Sequence, residues 1–147
     1  FNPNKYEAIS DQTAYLMLNL LEGVVNQGTG ARLRWRYNLP GTIAGKTGTT
    51  QNHSDGWFMG ITPSLVAGVW VGAEDRGVRF EDISMGQGAS MALPIYGRFM
   101  QDVFSDSRLN INPYQEWDKP IRLRDLNLDC EPDASGADSQ WYEDEFF

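Results

Sequence analysis

The sequence predicts an α+β fold in which an antiparallel sheet is flanked by helices. Three observations carry that expectation. Between Ile43 and Gly72, three short runs rich in β-branched and aromatic residues follow one another, separated by turn signals. Before them, apolar residues recur at helical spacing from Ala14 to Val25. After them, Ile95, Phe99 and Val103 begin a second apolar helical face, widened by Leu93, Tyr96 and Met100.

Taken in order, Phe1 to Ile9 reads as an extended lead-in. Ser10 is placed to cap a helix, and Asp11 to sit against its positive end. Ala14, Met17, Leu18, Leu21, Val24 and Val25 share one face, so the helix is expected to reach Asn26 with that face in the core. Gly28 is the expected stop. Gly28 to Gly41 reads as a loop, in which Arg32, Arg34 and Arg36 alternate with Leu33, Trp35 and Tyr37. A solvated strand or loop explains that alternation better than a nucleic-acid surface, for which three arginines are thin support.

The strands are expected at Ile43 to Thr50, Asp55 to Thr62 and Leu65 to Gly72. Thr62-Pro63-Ser64 suits a tight turn and makes the last two an antiparallel hairpin; Asn52 to Asp55 is the other turn. Glycines 45, 48, 60, 68 and 72 lie in or at the ends of these strands, where glycine normally weakens a sheet. In the first strand they flank Lys46 and Thr47, which leaves bare backbone for a ligand to lie against. Ala73 to Gly88 reads as a charged, glycine-punctuated loop. Ser90 is the expected cap of a second helix running to Phe104, with Pro94 tolerated in its first turn. Beyond Asp106 the periodicity fades, and Trp117, Trp141, Phe146 and Phe147 are candidates to pin the tail locally.

At 147 residues the chain has a one-domain length. Its formal net charge of −8 is uneven: eight acidic residues and no basic one lie from Asp125 onward, and the first 124 residues hold twelve of each sign. A neutral body with an acidic tail argues against nucleic-acid binding. The single cysteine, Cys130, has no partner for a disulfide or a zinc site. No apolar run approaches the roughly 18 residues of a membrane span. Phe1-Asn2-Pro3 lacks the pattern of a signal peptide. Glu74, Asp75, Glu81 and Asp82 match no metal-loop spacing, so neither metal nor cofactor is expected. His53, the one histidine, is expected to be an exposed turn residue, and Asp55 beside Ser54 to bond local backbone.

Chemistry concentrates on Gly45-Lys46-Thr47-Gly48-Thr49. A phosphate-binding P-loop would need a glycine at position 40, which is Pro40, and a helix after Thr47, where a turn and a strand follow instead. Lys-Thr-Gly on a strand belongs, with Ser-x-x-Lys and Ser-Asp-Asn, to the signature of class A β-lactamases and penicillin-binding proteins. As an acyl-transfer cradle it is chemically coherent. Lys46 brings positive charge to a substrate carboxylate, and Thr47 and Thr49 add hydroxyl donors. Gly48 lets an extended peptide lie along the strand. A backbone N–H at that edge helps stabilise an oxyanion.

Gly28-Thr29-Gly30, Ala44 to Thr50, Asp55-x-Trp57-Phe58-x-Gly60-x-Thr62-Pro63, Val69-Trp70-Val71-Gly72 and Ala92-x-Pro94-Ile95-Tyr96 together resemble the C-terminal part of the transpeptidase domain of class A, bifunctional penicillin-binding proteins. The resemblance covers residues 8 to 105, which divides the chain into a transpeptidase segment (1–105) and an acidic extension (106–147). It implies that Lys46 and Thr47 hold the substrate carboxylate, that Thr49 supports it, and that the Thr49 backbone N–H is half of an oxyanion hole. It also implies a serine acyl-enzyme with a D-Ala-D-Ala stem peptide of peptidoglycan, passed on to an amine of a neighbouring strand, with β-lactams acylating the same serine. The implied location is the periplasmic or extracytoplasmic face of the bacterial cytoplasmic membrane, with the anchor outside this chain.

The sequence departs from the family pattern in one respect. Positions 2, 43 and 116, three before each lysine, are Asn2, Ile43 and Glu116, and no Ser-x-Asn occurs. The nucleophile, its base and the second motif are missing, so the chain is expected to be an inactive C-terminal fragment of an incomplete penicillin-binding protein/β-lactamase-like fold. Three of that fold's five strands would leave an unpaired edge. The isolated chain is therefore expected to self-associate or to be unusually unstable; a clean monomer with cooperative, high-temperature melting would count against this. Two alternatives stay open: a related serine D,D-carboxypeptidase or β-lactam sensor, and a non-enzymatic module that binds extended peptides.

Overall fold

The structure, a computed structural model, describes residues 6–128. Its elements are α1 (Asp11–Asn26), α2 (Arg32–Trp35), β1 (Ala44–Thr49), β2 (Asp55–Ile61), β3 (Val66–Gly72), α3 (Ile83–Gly86), α4 (Gly88–Met91) and α5 (Leu93–Ser105). The architecture is α+β, with one antiparallel sheet ordered β1-β2-β3 and helices before and after it.

The first helix starts where Ser10 accepts the Thr13 N–H at 3.2 Å. It ends where the Gly28 N–H returns to the Gly23 carbonyl at 3.1 Å. Its apolar stripe is covered less than expected. Val25 is fully buried, but Met17 is half exposed, and Ala14, Leu18, Leu21 and Val24 are only partly buried.

The segment expected to be a loop from Gly28 to Gly41 contains α2. Ala31 to Trp35 has no β-branched residue and consists largely of good helix formers. One turn places Leu33 and Tyr37, four apart, together in the core, with Trp35 turned outward. Two of the three arginines act as ties. Arg34 donates to Asn26 Oδ1 at 3.0 and 2.9 Å and to the Leu39 carbonyl at 2.8 Å. Arg32 reaches the Ala89 carbonyl at 3.0 Å.

The hairpin turn expected at Thr62-Pro63-Ser64 is present. The Thr62 N–H donates to the Leu65 carbonyl at 2.8 Å, and the Thr62 hydroxyl accepts the Leu65 N–H at 3.0 Å. Strand alternation gives the sheet two unlike faces. One carries Thr47, Thr49, Phe58, Val69 and Val71 and is covered by α1, α4 and α5. Phe58 is fully buried there, its ring 4.8 Å from that of Tyr96. Gly60 exists for this packing, because a Cβ would stand 2.2 Å from the Tyr96 ring. The other face carries Lys46, Trp57, Met59, Val66 and Trp70, all exposed, with Trp57 and Trp70 paired across the strands at 6.4 Å.

The second helix does not run unbroken from Ser90. Asp82 caps α3 by accepting the Ser84 and Met85 N–H groups at 2.8 and 3.2 Å, and α4 follows with Ser90 inside it. The helix restarts as α5 with Pro94 in its first turn, the one place where a missing N–H is harmless. Residues 106–128 lie back on the body. The Pro113 carbonyl accepts the Thr42 N–H at 3.3 Å, Ser64 Oγ donates to Gln115 Oε1 at 2.7 Å, and the Trp117 indole donates to Glu22 on α1. Trp117 is thus the pin expected of it. Cys130, Trp141, Phe146 and Phe147 lie outside the described residues, as does nearly all of the acidic stretch.

Tyr96 has a consequence for pH. Its buried hydroxyl has no hydrogen-bond partner among the described residues, and burial pushes the phenol from its ordinary 10.0 up to about 12. A folded-state pKa above the unfolded one means a contribution that is complete below pH 10.0 and lost as pH rises through about 12. Tyr96→Phe is expected to remove one alkaline unfolding step in that window, read by tyrosinate absorbance alongside circular dichroism. An alkaline transition identical in both proteins would contradict the assignment.

Candidate functional site

β1 is paired on one side only among the described residues, with β2, in the register Lys46↔Met59 and Thr49↔Gly56. The Thr50 N–H donates to the Asp55 carbonyl at 3.0 Å. Backbone direction alternates along an antiparallel strand, so Lys46 and Gly48 also face β2. The N–H and C=O groups of Gly45, Thr47 and Thr49 therefore point to the open edge. This is the row of groups an extended ligand would pair with.

The four expected site residues, Lys46, Thr47, Gly48 and Thr49, come together on this edge. Lys46 is exposed, and its Nζ donates to the Thr47 carbonyl at 2.8 Å, which brings the ammonium to the open side. Thr47 Oγ1 lies 2.9 Å from Thr29 Oγ1, so the Gly28-Thr29-Gly30 turn braces it. Thr49 Oγ1 accepts the Gly88 N–H at 3.0 Å. One charge, two hydroxyls and outward amides on one short edge can hold a carboxylate and place a carbonyl against an N–H.

The glycines divide by role. Gly45 answers to packing rather than to a ligand: a Cβ there would come within 2.8 Å of the Phe58 ring and 3.2 Å of Val25. Of the two glycines that flank Lys46 and Thr47, Gly45 is thus taken up by the protein's own packing, whereas a Cβ at Gly48 would meet only the Trp57 Cβ, at 3.2 Å.

The turn after β1 also differs from expectation. His53 is half-buried rather than exposed. It sits at φ 57° beneath α3, where Gly86 is so close that a Cβ would stand 2.4 Å from His53 Cβ. Its Nδ1 is buried without a partner among the described residues. Asp55 bonds hydroxyls rather than backbone: its Oδ2 accepts from Thr50 Oγ1 at 3.0 Å and from Ser54 Oγ at 3.1 Å. This buried clamp joins the ends of β1 and β2. Neither Ser54 nor any other described serine is hydrogen-bonded to Lys46, so no serine–lysine pair forms among the described residues. Sequence reasoning missed Thr50 and Gly88. The first had a faint signal, a hydroxyl facing a carboxylate across a tight turn. The second had only the Gly86-Gln87-Gly88 punctuation.

Among the described residues no three potential metal ligands cluster, and no helix is long and apolar enough to cross a membrane. A family model described as the penicillin binding protein transpeptidase domain matches residues 2–84. Penicillin-binding protein 1A of Pseudomonas aeruginosa is 34% identical over 139 residues, covering 93% of this chain and 16% of that protein. Penicillin-binding protein 1B of Escherichia coli is 38% identical over 128 residues, covering 86% of this chain and 14% of the relative. The crystal structure of penicillin-binding protein 1A from Haemophilus influenzae superposes with a TM-score of 0.64 at 24% identity, over 77% of this chain and 17% of that one. That last likeness speaks to the fold. The chain spans about a sixth of the length of these relatives.

Proposed function

Since the chain belongs to the penicillin-binding protein transpeptidase family, we propose that it is the substrate-strand portion of a peptidoglycan D,D-transpeptidase domain. The observation that carries this reading is the open edge of β1, where Lys46 Nζ donates to the Thr47 carbonyl and the backbone of Thr49 also points outward. In it, a D-Ala-D-Ala stem peptide lies along β1 with its terminal carboxylate between Lys46, Thr47 and Thr49. The Thr49 N–H faces the carbonyl that a serine attacks. The serine ester forms as the terminal D-Ala leaves, and an amine of a neighbouring peptide then takes the acyl group. β-Lactams enter the same edge and acylate the same serine.

That serine belongs to an upstream segment of the same domain, which this chain does not contain. Residues 1–105 form the transpeptidase part in this reading, and 106–147 an extension. The exposed face around Trp57, Met59 and Trp70, together with the edge of β3 left unpaired among the described residues, suits contact with that upstream half. The domain works at the periplasmic or extracytoplasmic face of the membrane, held by an anchor elsewhere in the parent protein.

Intact mass after incubation with a penicillin tests the proposal. The chain alone is expected to keep its mass, and the protein joined to its upstream segment to gain one adduct. An adduct on the isolated chain would mean that a residue here is the nucleophile. No adduct on the joined, folded protein would overturn the transpeptidase reading.

A further inference from the structure

The Gly88 amide reaches the candidate site from another part of the chain, 39 residues beyond the threonine it bonds. Its N–H donates to Thr49 Oγ1 at 3.0 Å. The fit around Gly88 is backbone against backbone: a Cβ there would stand 2.4 Å from the carbonyl oxygens of both Gly48 and Trp57. Neither oxygen is the end of a flexible side chain that could swing aside. The segment that presents Gly88 is itself held, by the Asp82 cap on one side and by Arg32 bonding the Ala89 carbonyl on the other. It forms a bracket against the last residues of β1.

We propose that Gly88 is a positioning residue for the substrate carboxylate, acting through Thr49; this rests on the reading of β1 given above. A hydroxyl has one proton to donate and two lone pairs to accept with. With one lone pair taken by the Gly88 N–H, the Thr49 proton is turned away from Gly88. Among the described residues it has no other partner. It is left to donate toward the open edge, where Lys46 and Thr47 converge. The bracket thus makes Thr49 a donor in advance of binding, which suits a carboxylate and not a donor group. Glycine is required at 88 because only there can the chain approach Gly48 closely enough to deliver the amide.

The test uses the protein joined to its upstream segment and compares acylation by a penicillin with acylation by the same compound bearing a methylated carboxylate. Wild type is expected to prefer the free acid. Gly88→Ala and Thr49→Val are each expected to slow the free acid by about tenfold, the worth of one hydrogen bond to a charged group. The ester should change little, and Thr49→Ser should retain the wild-type preference. Because Gly88→Ala presses on two carbonyls and can disturb folding, the Gly88 amide is also followed by hydrogen exchange. It should be slow in wild type and faster in Thr49→Val. An unchanged acid-to-ester ratio in folded Gly88→Ala, or a Gly88 amide indifferent to Thr49→Val, would overturn the inference while leaving the substrate strand intact. A wild type that does not distinguish acid from ester would sink the carboxylate reading itself, and this inference with it.

Discussion

Lys46→Ala in the joined protein is expected to slow penicillin acylation by about 10- to 100-fold, the value of a hydrogen bond to a charged group of roughly 1.5–3 kcal/mol. Folding should be almost untouched. Lys46 is exposed, and among the described residues its ammonium bonds only the neighbouring Thr47 carbonyl, so removal should fall within the about 0.5 kcal/mol usual for surface changes. Lys119 is the control. Its ammonium holds the Arg124 and Leu126 carbonyls at 3.4 and 3.1 Å, away from β1, and Lys119→Ala should leave acylation unchanged. Lys46→Arg keeps the charge but replaces a compact ammonium by a longer planar fork, and should recover only part of the rate. Stopped-flow acylation alongside thermal melting separates the two effects. Equal rates for wild type and Lys46→Ala would remove the ammonium from the site.

Phe58→Ala carries the largest expected loss of stability, about 3–5 kcal/mol for emptying a fully buried aromatic site. Phe58 touches both layers: its ring packs at a tilt of 54° against Tyr96 of α5, and it fills the space that Gly45 leaves under α1. Small domains are stable by only about 5–15 kcal/mol in total. The isolated chain, with one sheet face uncovered, should therefore fail to fold as Phe58→Ala. Its sequence neighbour Trp57 points to the other face and is exposed. Trp57→Ala should cost the isolated chain little and the joined protein more, provided the upstream half covers that face. Urea midpoints of both variants in both forms decide the matter. A Phe58→Ala chain as stable as wild type would contradict the two-layer core.

What could be read from the sequence was whatever repeats locally. The first helix shows six apolar residues at helical spacing behind a serine cap, and its bounds, Asp11–Asn26, agree with that pattern. The three strands follow from β-rich runs separated by proline and asparagine turns. Four-residue helices such as α2 and α3 are too short to show a period: α2 forms because Leu33 packs into the core, and α3 rests on a single local cap, Asp82 accepting from Ser84 and Met85. The break before α5 was half visible: Pro94 announced a first turn, but not that another helix would end just ahead of it.

At the site, Lys46 to Thr49 stood out because the motif is contiguous, whereas its supports are not. Thr29 reaches Thr47 across 18 residues, and Gly88 reaches Thr49 across 39. Such contacts are set by tertiary packing and leave no periodic trace. Glycine was the ambiguous letter. Gly45 and Gly60 make room for the protein's own side chains, and only the sheet's facing relations separate them from Gly48. His53 misled for a similar reason. A histidine in a polar turn looks solvent-facing until α3 is folded over it.

In the proposed function, substrate lies along β1. Hydrogen exchange of the joined protein, free and after acylation by a penicillin, tests it most directly. Exchange is expected to slow over residues 44–49, where the outward Thr47 and Thr49 amides gain partners, and to stay unchanged over 66–72 in β3. Unchanged exchange at 44–49, or slowing confined to β3, would contradict the account.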